Sequence, residues 1–137
     1  MNLVVDTSVW SLVLRRPRVD ESNEFVQAFR FHINQEDGVF LIGNILQELL
    51  DGVKSREHFH RLIKLLESFP LLVLNRETYI EAAQLRNACR SNGVQAGPVD
   101  FLIAAACISH GFPLLTADGD FSNIAQYSDL VVLPAVS

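Results

Sequence analysis

Lysine is nearly missing from this sequence: Lys54 and Lys64 are the only two in 137 residues. Lysine and arginine together number 11 against 16 acids, which leaves a formal net charge of −5. That balance argues against a protein holding nucleic acid by bulk electrostatics. It leaves open one that meets nucleic acid through bound cations, because clustered carboxylates themselves depress the net charge. Cysteine is scarce too. Cys89 and Cys107 are too few for a disulfide framework, and both fall inside helical patterns, as buried reduced thiols do. No apolar run approaches the roughly 20 residues that a membrane helix needs. The segment Met1-Asn-Leu-Val-Val-Asp6 lacks a basic region and soon reaches a carboxylate, so it is a strand and not a signal peptide. The expected setting is cytoplasmic, with no membrane partner. Repeats, low-complexity segments and linkers are missing as well. So are a phosphate-cradling glycine loop with lysine and a G-x-S-x-G elbow.

What remains is 49% hydrophobic and of a length suited to one domain, residues 1–137. The stretch from Gly97 to Phe121 organises it. Gly97 and Pro98 open a helix, since proline at the first helical position loses no hydrogen bond. Asp100 falls in its first turn, where the helix dipole favours negative charge. Phe101 to Ile108 is apolar or small throughout, so this helix is covered nearly all round. Gly111 stops it and Pro113 prevents restart. Leu114-Leu115-Thr116 is then a short strand buried on both faces, delivering Asp118 and Asp120 into the loop at its carboxyl end.

The rest of the chain repeats this alternation. Asn2-Leu-Val-Val-Asp6 is a short buried strand ending in an acid, followed by Thr7, Ser8 and a short apolar helix. Asp20–Glu36 has helical spacing, Val39–Ile42 is a second strand, and a helix carrying Glu48 starts at Asn44. Helices over 55–69 and 76–92 flank a third buried strand at Leu71–Leu74, and Leu130–Leu133 is the last strand. Arg15-Arg16-Pro17-Arg18 makes a basic loop. His58 and His60 stand two apart, which suits no zinc pair. The expected architecture is α/β: a three-layer domain with a central, mainly parallel sheet of about five short strands flanked by helices.

In a parallel sheet all strand carboxyl ends point one way. Asp6, Glu48, Asp100 and Asp118 are then brought to one edge. Each alone has a plainer reading: Asp6-Thr7-Ser8 is good N-cap composition, and Glu48 could be a solvated helix glutamate. Together they cannot all ionise without a counter-charge, and neither lysine is placed to supply one. A hard divalent cation such as Mg²⁺ takes oxygen ligands, and would support phosphodiester hydrolysis by a metal-activated water. Ser8 and Thr116 offer hydroxyls that could orient ligands. A phosphoacceptor receiver domain would want a lysine near a late strand, and Leu130–Leu133 has none. A haloacid-dehalogenase-type phosphatase would want an acid at position 8, where serine stands.

Asp6-Thr-Ser-Val-Trp10, Asn44-Ile-Leu-Gln-Glu48, Asp100-Phe-Leu-Ile-Ala-Ala-Ala and Leu114-Leu-Thr116-Ala-Asp118-Gly-Asp120-Phe121 closely resemble the motifs of PIN-domain ribonucleases. The length resembles the VapC-type toxins of toxin–antitoxin pairs. The resemblance implies a Mg²⁺- or Mn²⁺-dependent endoribonuclease, a homodimer, inhibited by a small VapB-like antitoxin. By position, Asp6, Glu48, Asp100 and Asp118 match the family's acidic metal-binding residues, and Ser8 and Thr116 its supporting hydroxyls. Asp120 matches a place that varies between metal binding and capping of the helix after it. A PIN-like RNA-processing nuclease outside toxin–antitoxin systems is one alternative. A non-catalytic α/β binding module, its acids serving as caps, is another.

Overall fold

In a computed structural model that describes residues 1–15 and 17–135, short strands are separated by groups of helices. Arg16, in the middle of the basic loop, lies outside the described residues. β1 (Asn2–Val5) leads into α1 (Thr7–Val13) and α2 (Glu24–Asn34). β2 (Gly38–Phe40) leads into α3 (Gly43–Leu50), α4 (Arg56–Leu66) and α5 (Arg76–Ser91). Then come α6 (Pro98–His110), β3 (Leu114–Leu115) and α7 (Asp120–Ala125).

The sheet is parallel in the order β2-β1-β3, with Leu3 opposite Val39 and Val5 opposite Leu115. Among the described residues three strands are present rather than about five. The other two expected strands are reduced to single parallel bridges on the outer edges, Leu71 to Leu41 and Val132 to Leu114. Their apolar runs are not buried throughout, as the sequence suggests for Leu71–Leu74. Val73 is 80% exposed and Val131 59%, while Leu72 and Leu130 are buried. One-sided burial is what an edge segment with a single neighbour can achieve.

The centre of the sheet is different. Successive residues of a strand face opposite sides, and Leu3, Val4 and Val5 are all fully buried. Both faces of β1 are therefore covered. One cluster of buried side chains continues from β1 through Trp10, Phe29 and Ile45 to Phe101, Leu115 and Ile124. Trp10 meets the rings of Phe29 and Phe69 edge-on, at 5.1 and 5.0 Å between centroids, the arrangement aromatic quadrupoles prefer.

A glycine stands at the start of β2. Gly38 faces Asn2, and a Cβ at position 38 would come within 2.3 Å of Asn2 Oδ1. The fold's longest apolar element, α6, is buried continuously from Phe101 to Cys107, as the lack of any polar stripe there requires. It packs on α5 and α7. Gly111 ends it in the left-handed region at φ +69°, its N–H bonded to Ile108 and the next N–H to Cys107. That turn lets Pro113 and Leu114 enter the sheet at once beside Val4.

Candidate metal centre

Asp6 leaves the carboxyl end of β1 and caps α1 in the same step. Its N–H donates to Leu115 of β3, and its Oδ1 accepts the N–H of Ser8 at 3.4 Å. The capping reading of Asp6-Thr7-Ser8 is thus also correct. Its second oxygen has a different task. Oδ2 accepts the Ser8 hydroxyl at 2.8 Å and the Thr116 hydroxyl.

Each of those hydroxyls in turn accepts a backbone N–H. Ala117 donates to Ser8 Oγ at 2.9 Å, and Asp118 donates to Thr116 Oγ1 at 3.0 Å. A hydroxyl has one proton to give. With both protons directed at Asp6, the 3.3 Å approach of Ser8 Oγ to Thr116 Oγ1 is a contact between acceptors. Two strand ends, β1 and β3, are thereby tied through one carboxylate oxygen.

The same ties place Asp118. Its Oδ1 accepts the N–H of Asp120 at 2.9 Å, turning the chain into α7. Asp100, in the first turn of α6, reaches back to accept the Gly97 N–H at 3.2 Å, the return arm of a capping box. Asp100, Asp118 and Asp120 each bring a carboxylate oxygen to within 4.8 Å of the others.

The electrostatics follow from this crowding. Burial raises the Asp6 carboxyl above its ordinary range, the Thr116 and Ser8 hydrogen bonds pull it back, and Asp118 adds repulsion. Burial also raises Asp100, opposed by the Gly97 N–H and reinforced by the charges of Asp118, Asp120 and Asp6. No ion pair to these four acids occurs among the described residues. The donor set fits a hard cation. It is all oxygen, Mg²⁺ needs ligands at about 2.0–2.1 Å, and oxygens already within 4.8 Å of one another need little movement to share one ion. Nitrogen or sulfur ligands for zinc are not among them.

Matching residues 3–127, the sequence model of the PIN domain covers nearly the whole chain. The chain belongs to the PIN domain family. Members of that family are nucleases. Among solved structures, the chain is similar to FitAcB from Neisseria gonorrhoeae, at 22% identity, with 98% of this chain and 97% of that chain covered and a TM-score of 0.73. It is similar to VapBC2 from Rickettsia felis bound to a DNA fragment from their promoter, at 16% identity, 97% and 98% coverage, and a TM-score of 0.77. It is also similar to VapBC-1 from nontypeable Haemophilus influenzae, at 19% identity, 97% coverage of each chain, and a TM-score of 0.77. Comparison with curated protein sequences gives no match.

The PIN fold brings the expected residues together unevenly. Asp6, Asp100 and Asp118 share one edge of the sheet, close enough for their charges to act on one another. Ser8 and Thr116 both donate to Asp6, which itself stays outside the three-carboxylate group. Asp120, expected only in support, stands with Asp100 and Asp118 in the three-carboxylate group. Glu48 does not enter that group. It is exposed on α3 and opens onto a groove between α3 and α4. The reason is its place on the helix. Asp100 is two residues past the start of α6, about 3 Å along the axis, whereas Glu48 is five past the start of α3, about 7 Å. The signal for Asp120 was its spacing: an Asp-Gly-Asp turn directly after a buried strand puts two carboxylates side by side.

Proposed function

We propose that this PIN domain is a Mg²⁺- or Mn²⁺-dependent endoribonuclease, the toxin of a type II toxin–antitoxin pair. The observation that carries the reading is the convergence of Asp100, Asp118 and Asp120 within 4.8 Å at the carboxyl edge of a parallel sheet. A divalent cation held there supplies Lewis acidity toward water and neutralises charge at a phosphodiester. Asp100, Asp118 and Asp120 would hold the cation. Asp6, fixed by the Ser8 and Thr116 hydroxyls, stands beside Asp118 as a further ligand or as an acceptor for a water proton. Glu48, on a longer and exposed side chain, would join only with RNA present. The Ser8 and Thr116 hydroxyls are both committed to Asp6, which supports hydrolysis by a water without a covalent enzyme intermediate.

The toxin assignment is supported by the toxin–antitoxin complexes among the structural neighbours, including one from Klebsiella pneumoniae. A small antitoxin would take the open groove of about 1180 Å³ lined by Leu14, Leu49, Val53, Leu62 and Leu65. Leu65 there is 46% exposed, and α4 contributes the apolar face that an amphipathic partner helix would cover. Homodimerisation is part of the same proposal. Among the described residues no helix is long and apolar enough to cross a membrane.

The test is cleavage of total RNA by purified protein freed of any antitoxin. Wild type should cut in Mg²⁺ or Mn²⁺ and stop in EDTA, and Asp118→Asn should be inactive. Cleavage that persists in EDTA, or that Asp118→Asn retains in full, overturns the proposal.

A further inference from the structure

Helix α5 carries Arg86 and Arg90 four residues apart, hence on one face. The positions three and four residues away from either, including Ala82, Ala83, Asn87, Cys89 and Val94, hold no acid. Among the described residues neither arginine makes an ion pair. Like charges at this spacing repel. Arg90 lies in the last turn, where the helix dipole favours a cation. Arg86 sits a turn earlier without that benefit, and is nevertheless half-buried.

Both side chains line a notch of about 370 Å³ whose other walls are Val94, Gln95, Ala96 and Phe101. Those walls adjoin the acidic centre. Ala96 precedes Gly97, whose N–H is bonded to Asp100 Oδ2, and Phe101 follows Asp100. The notch and the carboxylate group thus share the segment from Ala96 to Phe101, and no ion pair joins Arg86 or Arg90 to an acid there.

We propose that this notch holds a backbone phosphate of the RNA substrate, neighbouring the phosphodiester presented to Asp100, Asp118 and Asp120. Arg86 and Arg90 are then positioning residues, and the inference rests on the nuclease function proposed above. The chemistry suits the task. Guanidinium groups present planar forks that match phosphate oxygens bidentately. A protein of net charge −5 needs local cations to keep a polyanion beside its acids. The basic residues of the α3–α4 groove are less suited. Arg61 is paired with Glu57 at 3.0 Å, and Glu48 and Asp51 stand among them.

The test compares wild type with Arg86→Gln, Arg90→Gln and the double variant on a single-stranded RNA in Mn²⁺. Each single change should raise KM roughly 10- to 100-fold, the loss of one charge-assisted contact, with kcat little altered. It should also lower the slope of log(kcat/KM) against log[salt] by about 0.7 per arginine. Mn²⁺ affinity by calorimetry and the thermal unfolding midpoint should stay at wild-type values, and Arg86→Lys should recover part of the loss. Unchanged KM and salt slope overturn the inference. So does a KM loss accompanied by weaker Mn²⁺ binding at an unchanged salt slope, which marks a structural role. If wild type cuts no RNA, the nuclease proposal fails by itself. The notch is then decided by anisotropy of a labelled single-stranded RNA over the same salt series, where equal affinity and slope for wild type and double variant refute it.

Discussion

The Thr116 hydroxyl donates to Asp6 Oδ2 across the junction of β3 and β1, joining residues 110 positions apart in the sequence. The same oxygen of Thr116 accepts the N–H of Asp118. One side chain thus fixes the carboxylate of the first strand and the backbone of the loop that carries the acids of the last quarter.

Replacing Thr116 by valine keeps the shape and removes both roles. Thr116 is buried, and a buried group left without its partner costs about 1–3 kcal/mol. Thr116→Val should therefore lower the urea midpoint by that equivalent at unchanged m-value and reduce nuclease activity. Ser at this position should restore most of both. Equal stability and activity in the valine variant would show that the bond to Asp6 carries neither.

Asp120 and Glu48 offer a direct comparison. The oxygens of Asp120 are within 4.8 Å of those of Asp100 and Asp118, and Glu48 is outside the group. In calorimetric titration with Mn²⁺, Asp120→Asn should weaken binding about 10-fold or more, in line with the loss typical when a metal site is perturbed. Glu48→Gln should change it little in the absence of RNA. The reverse ranking would place the metal nearer α3.

The acid centre also predicts a pH dependence. The Asp100 carboxyl is raised above 3.8 chiefly by burial, with the charges of Asp118, Asp120 and Asp6 adding to it. A raised acid binds its proton more tightly in the folded chain than in the unfolded one, so its contribution favours folding at low pH and is lost as pH climbs through the raised value. In metal-free protein, Asp100→Asn should match wild type below the ordinary carboxylate range and exceed it in stability above the raised value. Chemical denaturation at a series of pH values gives the difference curve. Added Mg²⁺ should narrow the gap by stabilising the wild type. A difference of opposite sign, or none, would mean that neither burial nor the neighbouring acids penalise the Asp100 charge in the folded chain. Asp37 makes a useful internal control: its bond to His32 lowers it, so its contribution is lost as pH falls.

Gly111→Ala tests the turn that feeds β3. Nothing lies within 4 Å of a Cβ there, yet φ is +69°, so the cost is backbone strain alone, about 1–2 kcal/mol. Gly111→Asn should cost less, since asparagine tolerates this region better. Thermal unfolding of the pair against wild type checks the order; an alanine variant as stable as wild type would mean that the turn relaxes.

Much of this was legible beforehand. The unbroken apolar run of α6, its Gly97-Pro98 start and its Gly111 stop are local properties, and local properties survive folding. So is the alternation of strand and helix that sends Asp6 and Asp118 to one edge. What could not be read was the number of neighbours each strand has. Leu71–Leu74 and Leu130–Leu133 look as apolar as Leu3–Val5, but of these three runs only Leu3–Val5 has a partner on each side, and Val73 and Val131 are exposed. The carboxylate membership of the site had a similar source of error. Whether Asp120 or Glu48 reaches the others depends on a few ångströms along a helix axis, which spacing in the sequence does not encode.

The sheet order has one more consequence. β1 lies between β2 and β3, so the strand synthesised first must leave one side open until Leu114 and Leu115 arrive from the ribosome. Asp118 and Asp120 emerge later still. A PIN domain built this way has no assembled acid centre until β3 and the loop after it have joined β1.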